Sequence, residues 1–444
     1  MSLTPRYDLV LTQGSVWMPG GLVQTDIGVR GGKVVAFGSL AGQGAQELPL
    51  NGLTVLPGVV DTQVHFREPG LEHKEDLETG TRGAVLGGVT GIFEMPNTKP
   101  STTDAAAIAD KVARAKGRAW CDHAFFIGAT GDNAVDLAEW ENLPGCSGVK
   151  IFMGSSTGSL LVAEDEPLRN ILRHGRRRIA VHCEDEPRLI ERWELVKDGA
   201  HVRMHSVWRD EETALRATMR LVRLAEETQR RVHVLHVTSA EEMEFLAAHK
   251  EFATVETTPQ HLTLAGPDAY DRLGTRAQMN PPIRDARHRD ALWKAVENGV
   301  VDVIGSDHAP HTLEEKAKPY PASPSGMTGV QTLVPVMLTH VAAGRLSLGR
   351  FVDLTSAGPA RIYNMMNKGR IALGYDADFT IVDLNARWTI TDSWIASRVG
   401  WTPFDGFEAT GRPVHTIIRG NIVMRDTVLE GTPVGEPVRF QECP

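Results

Sequence analysis

Residues 89–128, VTGIFEMPNTKPSTTDAAAIADKVARAKGRAWCDHAFFIG, contain one complete repeat of the pattern that governs this chain. VTGIFEM (89–95) is an apolar run rich in β-branched and aromatic residues. DAAAIADKVARAKG (104–117) is helix-like, and WCDHAFFIG (120–128) is strand-like again. Outward from this stretch, similar apolar runs recur at LPGVV (56–60), GVKIFM (148–153), IAVHC (179–183), VHVLHV (232–237), FATVET (252–257) and VDVIGS (301–306). Helix-like stretches such as DEETALRATMRLVRLAEETQ (210–229) lie between most of them. Eight β runs alternating with α runs predict a parallel α/β sheet, and eight is the number that closes a (β/α)8 TIM-type barrel.

The two ends read differently. YDLVLTQGSVW, QTDIGVRGGKVVAFGSL and QELPLNGLTVL are short strands with Gly-rich turns, and Gly31-Gly32 between apolar-alternating runs is a hairpin signal. GRIALGYDADFTIVDL and VHTIIRGNIVMRD near the C-terminus look alike. The expected architecture is one small β domain assembled from residues 1–55 and 370–444, with a barrel over 56–369 inserted between them. Of the 444 residues, 41% are hydrophobic and 23% charged, which excludes wholesale disorder. With 47 Lys+Arg against 56 Asp+Glu, the formal charge of −9 disfavours a nucleic-acid or anionic-membrane partner.

Four cysteines, Cys121, Cys146, Cys183 and Cys443, form no CxxC pair and suit a reducing compartment. The start MSLTPRYDLVLTQG lacks a basic region followed by an apolar core, so a cytoplasmic protein is expected. The fragment GSSTG lacks the strand–GxGxxG–helix context of a dinucleotide site. HGRRR (174–178) reads as a solvated helix end.

In a barrel the active site sits at the C-terminal ends of the strands. The residues expected there are His65 and Arg67, Asn97, Lys150, His182, His236, Asp307 and His311. Histidines and an aspartate on separate strands suit a divalent transition metal such as zinc. Lys150, between Val149 and Ile151, is a candidate for a pKa depressed by burial. A neutral amine can react with CO2 to give a carbamate whose two oxygens bridge two metals. Taken singly, each residue has a plainer reading: a core histidine, a strand-end lysine or a capping aspartate. Their convergence at one end of one sheet is the functional signal. His233 and His308 receive no role, His308 because neighbours along an extended stretch alternate in direction.

At these residues the chain resembles the amidohydrolase superfamily and, within it, the dihydroorotase family. The motifs are LPGVVDTQVHFREPG, GGVTGIFEMPNT, GVKIFMGSSTG, VHCEDE, LHVTS, MNPPIR, DVIGSDHAPHT, SGMTGVQT and GRIALGYDADFTIVD, which together span nearly the whole chain. The resemblance implies the barrel with a β-sandwich from both termini, and one or two zinc ions per chain. It implies that His65 binds a first metal, that a carboxylated Lys150 bridges two, that His182 and His236 bind the second, and that Asp307 ligates the first and shuttles the proton. It further implies that Arg67, Asn97 and His311 hold a substrate carboxylate and that Asn280 contacts a pyrimidine ring. The implied substrates are dihydroorotate and N-carbamoyl-L-aspartate, in pyrimidine biosynthesis, with a homodimer or homotetramer as the assembly.

One position departs from the family pattern. Where HxH is usual, this chain has Gln63-Val64-His65. Either Gln63 ligates through its weaker carbonyl oxygen, or the first metal is weak or absent. Two alternatives stand beside the main reading: a hydantoinase- or allantoinase-type cyclic amidase, which needs no Arg67, and a non-catalytic partner of an aspartate carbamoyltransferase.

Overall fold

The computed structural model describes residues 6–155 and 160–442. Part of the GSSTG fragment and Cys443 lie outside them. Eight parallel strands follow one another around a barrel: β1 (Val59–Val64), β2 (Val89–Glu94), β3 (Asp122–Gly128), β4 (Cys146–Phe152), β5 (Ile179–His182), β6 (Val232–Val234), β7 (Ala253–Thr257) and β8 (Val303–Ile304). Each pairs with its sequence neighbour, and the ring is brought round by a parallel bridge between Val64 and His308, with the His65 N–H donating to the His308 carbonyl at 2.7 Å. The strands are buried on both faces, which explains their near-continuous apolar runs.

The helix-like stretches form helices for local reasons. Ala105–Ala115 starts at Asp104, whose carboxylate accepts from the Ala107 N–H at 2.8 Å. Glu211–Thr228 starts at Asp210 in the same way, presents Ala214, Ala217, Leu221, Val222 and Ala225 inward, and stops at Gln229 in the left-handed region.

The ends of the chain build two further sheets. Tyr7–Thr12, Asp26–Arg30, Lys33–Gly38 and Gly44–Pro49 form one of four strands. The other has seven, in which Phe379–Ile390 from the C-terminal part pairs antiparallel with Thr54–Pro57 from the N-terminal part. Leu9, Leu11, Ile27, Val29, Val55, Phe379, Ile381 and Ile417 bury a common core between them. The hairpin expected at Gly31-Gly32 is present.

Two expectations need correcting. LPGVV is not one strand: Leu56 and Pro57 end a strand of the seven-stranded sheet, and Val59 and Val60 begin β1. Gly58 sits at the switch, where an added Cβ would lie 2.3 Å from Thr90 Oγ1. HGRRR is not simply solvated, because Arg177 is buried, donates to the Cys146 carbonyl at 2.6 Å and packs over the Phe440 ring.

Candidate functional site

The strand ends deliver the expected side chains to one end of the barrel. Gln63 is in β1, and His65 and Arg67 follow it; Asn97 follows β2, Lys150 is in β4 and His182 ends β5. His236 follows β6, Asp307 and His311 follow β8, and Asn280 lies in the long connection after β7. All except the half-buried Asn280 are buried. Arg67, His236 and Asp307 have φ of 68°, 38° and 45°. Left-handed backbone at three non-glycine residues is costly and is retained at functional sites.

The imidazoles and Asp307 fall into two pairs. His65 Nε2 lies 3.2 Å from Asp307 Oδ1, while His65 Nδ1 donates to Asn97 Oδ1 at 2.8 Å. With the proton on Nδ1, the Nε2 lone pair faces a carboxylate oxygen. Gln63 Nε2 donates to the same Asp307 oxygen at 3.2 Å, and Gln63 Oε1 is buried with no partner among the described residues. In the second pair, His182 Nδ1 is 3.0 Å from His236 Nε2. His182 Nε2 donates to Glu184 Oε2 at 2.9 Å, and His236 Nδ1 is buried without a partner among the described residues. Burial pushes His65 and His182 below the usual imidazole range and His236 well below it.

An imidazole nitrogen facing a carboxylate oxygen, two imidazole nitrogens in contact, neutral rings and orphaned buried oxygen and nitrogen atoms fit a bound cation. Among the described residues no three His, Cys, Asp or Glu side chains converge on one point. Lys150 lies in the same neighbourhood, because its charge acts on His65, His182, His236 and Asp307. Its Nζ sits 4.4 Å from the centre of the Phe152 ring. Burial pulls its amine down to about 7, against the pull of Asp307, Cys183 and Glu256.

Arg67 and His311 adjoin the first pair. The Arg67 guanidinium is 2% exposed and donates through Nε to the Pro310 carbonyl at 3.2 Å. No carboxylate among the described residues is within ion-pairing distance of it. Burial lowers it to about 10, so it stays charged at neutral pH. His311 is lowered to about 3 by burial and is neutral. It accepts from Lys74 Nζ at Nδ1 (3.1 Å) and donates from Nε2 to the Ser325 carbonyl at 3.0 Å. That nitrogen cannot also accept from Arg67 Nη2, 3.3 Å away, so the guanidinium keeps donors for a ligand. Gly326, at φ 137°, permits this approach, since a Cβ there would lie 2.4 Å from the Ala309 carbonyl.

Several contributors carry no role in the sequence reading. Lys74 bridges His311 and Glu315. His205 Nε2 lies 3.0 Å from Asn280 Oδ1, which turns the amide nitrogen of Asn280 away from it. Buried Glu184 ties His182 to Arg209, whose Nε lies 3.0 Å from Glu184 Oε1. Burial would raise the Glu184 carboxyl, but Arg209 and His182 hold it far below the usual range. Deeper in the barrel, Asp61 and Glu256 are raised by burial to about 7 and about 8. A cavity of about 490 Å³ flanks the site, lined by Asn280, Arg209 and Ser325 and by apolar Leu189, Ile190, Trp193 and Trp208.

Residues 54–423 match the amidohydrolase family. A dihydroorotase from Methanothermobacter thermautotrophicus is 34% identical over 410 residues, covering 91% of this chain and 92% of that protein. An allantoinase from Escherichia coli is 32% identical over 452 residues, 98% of each. Among solved structures, the L-hydantoinase (dihydropyrimidinase) of Arthrobacter aurescens superposes with a TM-score of 0.92 at 30% identity, over 97% of this chain and 99% of that one.

Proposed function

Since the chain belongs to the amidohydrolase family and is a hydrolase acting on a cyclic amide, we propose that its substrate is dihydroorotate, opened reversibly to N-carbamoyl-L-aspartate in pyrimidine biosynthesis. The observation that carries this is Arg67, a buried guanidinium with no carboxylate partner among the described residues and with donors left over beside Asp307. A buried charge with no carboxylate in contact is costly to fold, even with the longer-range pull of Asp307, Glu315, Glu94 and Glu75. A ring bearing a carboxylate supplies the missing partner in bidentate geometry. Hydantoin and allantoin rings carry no carboxylate there.

The donor set fits divalent zinc at the His65–Asp307 and His182–His236 pairs, with Gln63 Oε1 as a further oxygen at the first. A carbamate on Lys150 would give each pair its third ligand, and the pKa of about 7 makes the reactive neutral amine available near neutrality. A bound divalent cation supplies Lewis acidity and lowers the pKa of water. Asp307 takes the proton released as water adds to the ring carbonyl and passes it to the leaving amide nitrogen. Its Oδ1 is engaged by Gln63 and His65, which leaves Oδ2 for the proton. Arg67 fixes the ring through its carboxylate, and Asn280, oriented by His205, offers its amide nitrogen to the ring.

The test is hydrolysis of dihydroorotate by zinc- and bicarbonate-supplemented protein, followed by loss of ring absorbance. Ring opening that is lost in Asp307→Asn is expected. No turnover of dihydroorotate, with turnover of allantoin, overturns the assignment. The apolar flank of Leu189, Ile190, Trp193 and Trp208 favours a second reading, a cyclic amide with an apolar substituent. Turnover of an aryl-substituted hydantoin above that of dihydroorotate would establish it.

A further inference from the structure

We propose that Glu184 is a positioning residue that makes the His182–His236 pair the stronger of the two cation positions; this rests on the metal reading above. Glu184 is fully buried two residues after His182, and its Oε2 accepts from His182 Nε2 at 2.9 Å. That bond puts the imidazole proton on Nε2 and leaves Nδ1 as the lone-pair nitrogen, 3.0 Å from His236 Nε2. Without the carboxylate both tautomers are open, and one of them turns an N–H towards the cation.

The carboxylate is itself fixed. Arg209 Nε lies 3.0 Å from Oε1 and 3.1 Å from Oε2, and Nη2 is 2.5 Å from Oε2. Arg209 also donates to the Ser155 carbonyl at 2.6 Å and packs against the Trp208 ring. Gly154 lets the two segments meet, since a Cβ there would lie 2.5 Å from the Glu184 carbonyl. Four residues before Arg209, on the same short segment, His205 holds Asn280. One piece of chain therefore sets both the ligand tautomer and a ring-facing amide.

The other pair is built differently. His65 is oriented by the neutral amide oxygen of Asn97, and the residue two positions before it is Gln63. A carboxylate partner raises imidazole basicity more than an amide does, and such partners are worth roughly 10–100-fold in metal affinity. The two positions should therefore fill in order, His182–His236 first.

The experiment uses the full-length chain with Glu184→Ala and Glu184→Gln. In zinc-free protein, imidazole 15N shifts report the His182 tautomer, assigned by comparison with His182→Gln. In parallel, zinc is titrated against a chromophoric chelator. Wild type should hold the Nε2-protonated tautomer and bind two equivalents unequally. Glu184→Ala should mix the tautomers and lower the first affinity roughly 10–100-fold, with the second unchanged. An unchanged tautomer, or an equal loss at both equivalents, overturns the proposal. If wild type takes up no zinc, the metal reading fails by itself, and the tautomer readout decides the positioning role alone. If Glu184→Ala does not fold, Glu184→Gln decides, with about a tenfold loss confined to the first equivalent.

Discussion

Arg67→Lys probes the reading of the substrate most sharply. Arg67 is buried, donates to the Pro310 carbonyl and meets no carboxylate of the protein among the described residues. A substrate carboxylate would take two charge-assisted hydrogen bonds from it, each worth about 1.5–3 kcal/mol. Lysine keeps the charge but loses the fork, so about 2 kcal/mol of binding is lost and KM rises about 30-fold. Turnover should fall less than about fivefold, because the contact is present in ground and transition states alike. Steady-state kinetics with dihydroorotate measures the split. A second substrate closes a cycle: dihydrouracil is the same ring without the carboxylate. Removing the carboxylate should cost wild type far more than it costs Arg67→Lys. A fall in kcat at constant KM, or equal losses in both enzymes, refutes carboxylate recognition by Arg67. Arg67→Met should make the unliganded protein more stable by about 1–2 kcal/mol in urea, since it removes a buried charge that no carboxylate touches.

Other expectations follow from the surrounding residues. Gln63→His should raise retention of the weaker zinc equivalent at least about tenfold against a chelator, imidazole being a better zinc ligand than an amide oxygen; unchanged retention would remove Gln63 from the metal's surroundings. Lys150, lowered to about 7 by burial, is protonated below that pH and neutral above it. At fixed dissolved 13CO2, the initial rate of carbamate formation in metal-free protein should rise about tenfold from pH 6 to pH 8, read from the build-up of a 13C carbamate signal; a rate independent of pH would contradict it. Lys316 donates to the carbonyls of Gln278, Pro324 and Gly326 at 3.0, 2.8 and 3.0 Å. Lys316→Met should cost about 3 kcal/mol in urea unfolding at about 1 kcal/mol per bond, and a cost under 1 kcal/mol would show that these bonds do not hold the loop.

The barrel was legible because every barrel strand is buried on two faces and the longer intervening helices, such as Ala105–Ala115 and Glu211–Thr228, carry a capping aspartate and an apolar stripe, so period and composition agree. What periodicity cannot register is a change of sheet within one apolar run, which is why LPGVV looked like a single strand. VHVLHV likewise reads as six residues of strand, whereas only Val232–Val234 pair regularly and His236 has turned to positive φ. The side chains that face the site were visible as polar residues at strand ends, where folding gives no reason for them. Those that hold them were not. Arg209 reaches Glu184 across 25 residues, His205 reaches Asn280 across 75, and Arg177 meets Phe440 near the far end of the chain. Such partnerships have no local period. Glu184 alone left a trace, as an acidic residue directly after an apolar strand in VHCEDE.

A site built around Arg67 should recognise a cyclic amide carrying a carboxylate. The direct measurement is kcat/KM of the zinc- and bicarbonate-supplemented wild-type protein for dihydroorotate, dihydrouracil, hydantoin and allantoin, side by side. Dihydroorotate should be preferred by about 100-fold or more, the worth of roughly 3 kcal/mol from the Arg67 contact. Equal rates, or a preference for any of the uncharged rings, would contradict it.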